Sequence, residues 1–184
     1  EMASLGSKVL QLRSVEFAGK YKVPLRVLSS MTAADTPLEV EAASGTLITF
    51  EENIKMEKAV ISGVAFARDE AKITLTRVPD RPGIAYQILG PIADANVDVD
   101  MIVQNISVDG TTDFSFTVHR NEYQKAIEVL ESKVKDHIGA KQIVGDPKIA
   151  KVSIVGIGMR SHVGIASLMF RTLAEEGINM QMIS

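Results

Sequence analysis

"PDRPGIAYQILGPIADANVDVDMI" occupies Pro79–Ile102, and "SHVGIASLMFRTLAEEGINMQMI" occupies Ser161–Ile183. In the first stretch Pro82 stands where a helix can begin, because its missing N–H would lack a partner there anyway. Ile84, Ile88, Leu89 and Ile92 then recur at helical spacing. Pro91 falls inside that helix and removes one of its hydrogen bonds, so a bend or an early end is expected near Gly90. Beyond it Val97, Val99, Met101 and Val103 alternate with Asp98 and Asp100, the pattern of a strand with one apolar face.

The flanks extend this unit. "EAKITLTRV" places Ala71, Ile73 and Leu75 on one face of a strand. Asp109-Gly110 supplies a turn, and "DFSFTVH" alternates again through Phe114, Phe116 and Val118. Asn121 and Gln124 resemble a capping pair ahead of a helix striped by Tyr123, Ile127, Leu130 and Val134. "AKQIVGD" reads as a last, weak strand ending before Pro147. Strand, helix, strand, strand, helix, strand is the ferredoxin-like order, an α+β arrangement with an antiparallel sheet and two helices on one face.

The second stretch begins the same unit again. "AKITL" at Ala71–Leu75 is matched by "AKVSI" at Ala150–Ile154. After a two-residue insertion in the loop, Gly83 aligns with Gly164, Ile92 with Leu173, Val97 with Ile178, Asp98 with Asn179 and Met101 with Met182. The second copy reaches only half of its second strand at Ser184. It is expected to be completed by residues beyond Ser184 and by the spare strand "GTLITF" (Gly45–Phe50), so that the first copy is inserted in the second. The division that follows is 1–44, 45–55, 56–148 and 149–184.

Before the repeat, Ser7–Gly19 carries a loose helical pattern and "VPLRVLSS" (Val23–Ser30) a short strand. Met31–Ser44 has no clear period and reads as a surface loop or linker. "NIKMEKAVISGVAF" reads as a short helix with Ile54, Ala59 and Ile61 toward a core, leading into an extended piece.

Composition removes whole classes of function. The 184 residues contain no Cys, so disulfides, thiolate metal sites and Cys nucleophiles are excluded; a reducing cytosol fits. Net charge is −3 and no Lys/Arg block stands out, which argues against nucleic acid and anionic membrane as partners. No apolar run reaches the roughly 18 residues of a membrane span. Trp is absent and aromatics make up 5%, so the core is built from aliphatic residues and Met.

Several motifs have two readings. Gly156-x-Gly158 after a strand suggests a dinucleotide turn, but that fingerprint asks for Gly or Ala where Ser161 stands. His119, His137 and His162 have no partner at metal-ligand spacing and read as surface or turn residues, so no metal is expected. Asp98 and Asp100 are an acid/base pair or, more simply, the solvent face of a strand. Phe114 and Phe116 share a face without a basic surface around them, unlike an RNA-binding sheet.

Both copies place a glycine-containing loop at a helix start. These loops are Asp80, Arg81, Pro82, Gly83 and Ile84 in one copy, and Ser161, His162 and Gly164 in the other. Unpaired N–H groups there favour an anion such as a carboxylate. Asn96, Asp98 and Gln104, with Asn179 and Gln181 in the second copy, offer polar groups for an ammonium. The pair of features describes a site for a free amino acid; the plain alternative is a helix start beside a polar strand face.

"DRPGIAYQILGPIADANVDVDMIVQN" resembles an ACT domain, the ferredoxin-like module that binds amino acids in metabolic enzymes. Residues 1–30, "DGTTDFSFTVHR", "KVSIVGIGMRSHVG" and "EGINMQMIS" are similar to the end of the kinase domain and the regulatory region of the aspartate kinase family. That resemblance implies tandem ACT domains that pair between two chains, as a homodimer or a higher oligomer. Threonine or lysine would lie between Asp80, Gly83, Ala85, Val97 and Gln104 of one chain and Ala166, Asn179 and Met180 of the other. It implies no catalytic residue and no cofactor in this segment. ATP and Mg would belong to the kinase catalytic domain. A stand-alone ACT-repeat amino-acid sensor is the alternative.

Overall fold

A computed structural model describes residues 5–6, 10–49, 61–106, 109–156 and 164–184. Two compact units divide the chain: Glu1–Ala65 with Ile154–Ile165, and Phe66–Ser153 with Ala166–Ser184.

In the first unit, helix α1 spans Leu12–Lys20. It starts later than the Ser7–Gly19 pattern because the Gln11 side chain caps it, accepting the Ser14 N–H at 2.9 Å. Strand β1 (Leu25–Val27) pairs antiparallel with β2 (Thr46–Ile48), in the register Leu25↔Ile48. Among the described residues, the spare strand pairs through Thr46–Ile48 with β1. Gly45 leads into β2: its φ is +73°, and an added Cβ would stand 2.2 Å from the Val27 carbonyl oxygen. Between the strands, the segment read as a loop contains helix α2, Leu38–Ala43. Pro37 presets its entry at φ −59°, and Glu39 and Glu41 favour the positive end of its dipole. Of the helix read after Phe50, Ile54 and Ala59 lie outside the described residues, and Ile61 is exposed.

The second unit carries the sheet. Its strands are β3 (Gly63–Pro79), β4 (Val99–Ile106), β5 (Thr111–His119) and β6 (Gln142–Val155), ordered β4-β5-β3-β6. β5 lies antiparallel to both β3 and β4. First and third strands are central and second and fourth are edges, as the ferredoxin-like order requires. Within the first unit, the Ser62 N–H reaches the Val155 carbonyl at 2.7 Å. β6 passes through Pro147 instead of ending before it. An edge strand tolerates the missing donor, and Asp146 Oδ1 takes the Lys148 N–H at 2.8 Å to shape the irregularity.

One face of the sheet is the core. Ala71, Ile73, Leu75 and Val78 join Phe114, Phe116 and Val118 beneath Ile84, Ile88 and Ile92 of helix α3 (Ile84–Asp94) and beneath Ala126, Leu130, Val134 and Ile138. Each large aliphatic buried there contributes about 1.5–3 kcal/mol. α3 continues through Pro91 to Asp94 without the expected early end. One hydrogen bond is lost, but Ile92 beyond it is fully buried and keeps the helix on the sheet.

The second helical segment begins with a 3-10 turn, Arg120–Glu122, followed by α4 (Tyr123–Val129), a π turn (Leu130–Val134) and α5 (Lys135–Ile138). Its buried residues recur every fourth position, from Ala126 to Ile138. In a pure α-helix that spacing drifts by about 40° per step, and the wider π turn brings the stripe back toward the core. The start is capped by His119, whose Nδ1 accepts the Asn121 N–H at 3.3 Å. The expected Asn121–Gln124 pair does not form, and Gln124 instead donates to Glu128 at 3.2 Å.

Candidate effector site

Gly83 precedes α3 with φ +87°, a left-handed conformation natural to glycine. No side chain caps the helix. Its carbonyl accepts the Gln87 N–H at 3.0 Å, and the Arg81 carbonyl accepts the Ile84 N–H at 3.3 Å. Asp80, Arg81, Pro82 and Gly83 are exposed, Ile84 is buried and Ala85 half-buried. The Asp80 N–H reaches the Gly110 carbonyl at 3.0 Å, which ties this loop to the β4–β5 turn.

That turn fixes which end of the sheet carries the site. β4 runs parallel to β3, so its last residues, Gln104 among them, lie at the end where β3 stops and α3 begins. They also lie on the same face. Gln104 stands opposite Phe114, and Ile102 opposite Phe116, both partners being core residues. Cross-strand neighbours share a face, so Gln104 is on the side of the sheet that α3 covers.

This placement corrects the unbroken alternation read from the sequence. Val99 pairs with Val118, but Ile102 pairs with Phe116, so Asp100 and Met101 together oppose Thr117. The extra residue is a β-bulge, and it reverses which side chains of β4 face the core. Val97 and Val99 face it before the bulge; Ile102 and Gln104 face that side after it, and Val103 stands opposite Ser115.

Asn96 and Val97 lie at the far end of α3. Asn96 has φ +54° and donates to the Ala93 carbonyl at 2.8 Å, while Val97 donates to Ile92 at 3.2 Å. This is a Schellman helix ending. Gly177 and Ile178 repeat it after helix α6 (Ile165–Glu175), with bonds to Ala174 at 3.0 Å and to Leu173 at 2.8 Å. Asn96 therefore corresponds to a glycine in the second copy, and its backbone ends the helix.

In the second copy Gly164 repeats the left-handed helix start, at φ +101°. Ser161 and His162 lie outside the described residues. Ala166, Asn179 and Met180 are exposed. Gln181 donates to Asp146 Oδ2 at 2.7 Å, and this bond, ahead of that from the Lys148 N–H, holds the Asp146 carboxyl below its ordinary pKa.

A charged cluster on the opposite face of the sheet escaped the sequence reading. Asp100 and Lys151 form an ion pair. Glu70 lies beside them with one buried carboxylate oxygen lacking a hydrogen bond. Burial raises the Glu70 pKa; Lys151 opposes that shift, Asp100 adds to it, and His119 and the Thr117 hydroxyl oppose it, leaving a net rise. Asp100, Glu70 and Lys151 come from three different strands, and Lys151 and Asp100 meet from the two edge strands β6 and β4. At the β4–β5 turn, hydrogen bonds from the hydroxyl and N–H of Thr111 hold the Asp109 carboxyl below its ordinary range. Among the described residues no group of three or more His, Cys, Asp or Glu could hold a metal, and no helix is long and apolar enough to cross a membrane.

Comparison with known proteins agrees with this architecture. The ACT-domain family matches residues 72–134, and a second ACT-domain match covers 152–184. Aspartate kinase of Pseudomonas putida is 63% identical over 184 residues, all of this chain and 42% of that protein. The chain thus spans less than half the length of that relative. A crystal structure of aspartokinase alpha and beta subunits is 59% identical, with 67% of this chain and 80% of that chain covered and a TM-score of 0.61. The regulatory subunit of aspartate kinase from Thermus flavus is 37% identical, with 67% and 81% covered and a TM-score of 0.62. With four-fifths of these two chains matched at such identity, this chain belongs to the aspartate kinase family, as its ACT-domain regulatory region.

Proposed function

We propose that this region binds a free amino acid, threonine or lysine or both, and thereby inhibits an aspartate kinase that transfers the γ-phosphate of ATP to the side-chain carboxylate of aspartate. The observation that carries the reading is the convergence of the uncapped, glycine-led start of α3 with Gln104, at one end and on one face of the sheet. The N–H groups suit an α-carboxylate, and the Gln104 and Asp80 oxygens suit an ammonium. The repeated helix start at Gly164 supports a second, equivalent position. The repeat units, 56–148 and 149–184, would meet those of another copy in a homodimer, with Asn179 and Met180 of the other chain closing the site. ATP and Mg belong to the catalytic lobe, and the setting is cytosolic.

An effector inhibits only through its preference for one arrangement over another. In the full-length enzyme, Gln104→Ala or Asn179→Ala should therefore shift the threonine or lysine inhibition curve to higher concentration, with uninhibited turnover unchanged. Unaltered inhibition in both variants removes the site assignment.

A further inference from the structure

We propose that Thr117, assisted by Lys151, is a positioning residue for the effector site: it holds the Asp100–Met101 bulge that turns Gln104 toward the start of α3. The inference rests on the reading of Gln104 as an effector-binding side chain. Side chains alternate along a strand, so a register change of one residue moves every later side chain to the other face. Without the bulge, the phase set by Val97 and Val99 would carry on through Met101 and Val103, and Gln104 would face away from α3. With it, Gln104 stands opposite Phe114 on the side that α3 covers.

The bulge has identifiable supports. An unpaired N–H is costly when half-buried, and the Met101 N–H finds its acceptor outside the ladder, at the Thr117 Oγ1, 3.1 Å away. Thr117 is 2% exposed, on the central strand β5 directly opposite the two bulged residues. On the other bulged residue, the Asp100 carboxylate pairs with Lys151, whose side chain is 12% exposed. One bulge residue is thus held through its backbone and the other through its side chain. Thr117 also faces Lys72 across the β3–β5 ladder, on the face away from the core. It therefore stands on the face away from the effector and acts on Gln104 through β4, while its hydroxyl also bonds Glu70 of β3.

The test uses the aspartate kinase polypeptide that contains this region. Calorimetry with threonine and lysine compares wild type, Gln104→Ala, Thr117→Val, Thr117→Ser and Lys151→Met. Valine keeps the shape of threonine without the acceptor, and serine keeps the acceptor. Thr117→Val and Gln104→Ala should each weaken binding by about tenfold or more, the scale of a lost polar contact, and Thr117→Ser should bind like wild type. Lys151→Met leaves β5 untouched and should weaken binding in the same direction, which keeps the test decisive if Thr117→Val fails to fold. In the NMR spectrum of the 184-residue chain carrying Thr117→Val, the cross-strand contact of Phe114 should move from Gln104 to Val103. Wild-type binding by Thr117→Val and Lys151→Met beside a weakened Gln104→Ala overturns this inference and leaves the proposed function standing. Wild-type binding by Gln104→Ala overturns the site itself.

Discussion

Gly83 and Gly164 hold the same left-handed backbone, at φ +87° and +101°, each one residue before a helix of the repeat. At neither position would an added Cβ meet another atom within 4 Å. The requirement for glycine is therefore conformational and not steric. Gly83→Ala should destabilise the chain by about 1–2 kcal/mol, with Gly83→Asn costing less. Denaturant unfolding of both variants checks this; equal stability of alanine and wild type would refute it.

Asn96 and Gly177 make the same helix ending. Asn96→Gly should accordingly preserve both stability and effector response, whereas Asn96→Val should destabilise by about 1–3 kcal/mol because a β-branched residue resists positive φ. Loss of threonine or lysine response in a stable Asn96→Gly variant would instead show that the Asn96 side chain serves the binding site.

Tyr123 leaves no room at position 145. A Cβ on Gly145 would stand 2.2 Å from the tyrosine hydroxyl oxygen and 2.6 Å from its ring. Gly145→Ala should destabilise by about 1–3 kcal/mol through overpacking. In a Tyr123→Leu background the same change should cost much less, the signature of a direct contact in a double-mutant cycle. Equal costs in both backgrounds would place the strain elsewhere.

How much of this was legible beforehand depends on the range of the forces involved. The repeat, the strand order and the buried faces of Ile73, Phe116 and Ile88 follow from periodicity, which a linear sequence carries intact. The glycines at 83 and 164 marked both helix starts. The bulge was hidden, because its supports come from Thr117 and Lys151 on other strands; nothing between Val97 and Gln104 announces an extra residue. The passage of α3 through Pro91 was hidden for a similar reason, since burial of Ile92 decides it. The backbone role of Asn96 at the end of α3 was not read from the sequence, although its alignment with Gly177 pointed to a position that needs a left-handed conformation.

Glu70 gives the fold a pH dependence of definite sign. Its folded pKa lies above the ordinary value of 4.5, chiefly because of burial. The folded state therefore binds the proton more tightly than the unfolded chain does. The contribution from this group is fully present below pH 4.5 and is lost as pH rises through the folded pKa. Glu70→Gln, which mimics the protonated form, should raise the melting temperature at neutral pH and flatten its dependence on pH just above 4.5. A lower melting temperature at neutral pH would mean that attraction to Lys151 outweighs burial.

The central claim is that a free amino acid sits at the glycine-led start of α3 with Gln104 beside it. Crystals of the aspartate kinase polypeptide containing this region, grown with threonine and with lysine, test it most directly. Electron density for at least one of them is expected there, its carboxylate on the N–H groups that follow Gly83 and its ammonium toward Gln104 or Asp80. Density for the amino acid only at some other place, with the start of α3 left vacant, would contradict the account.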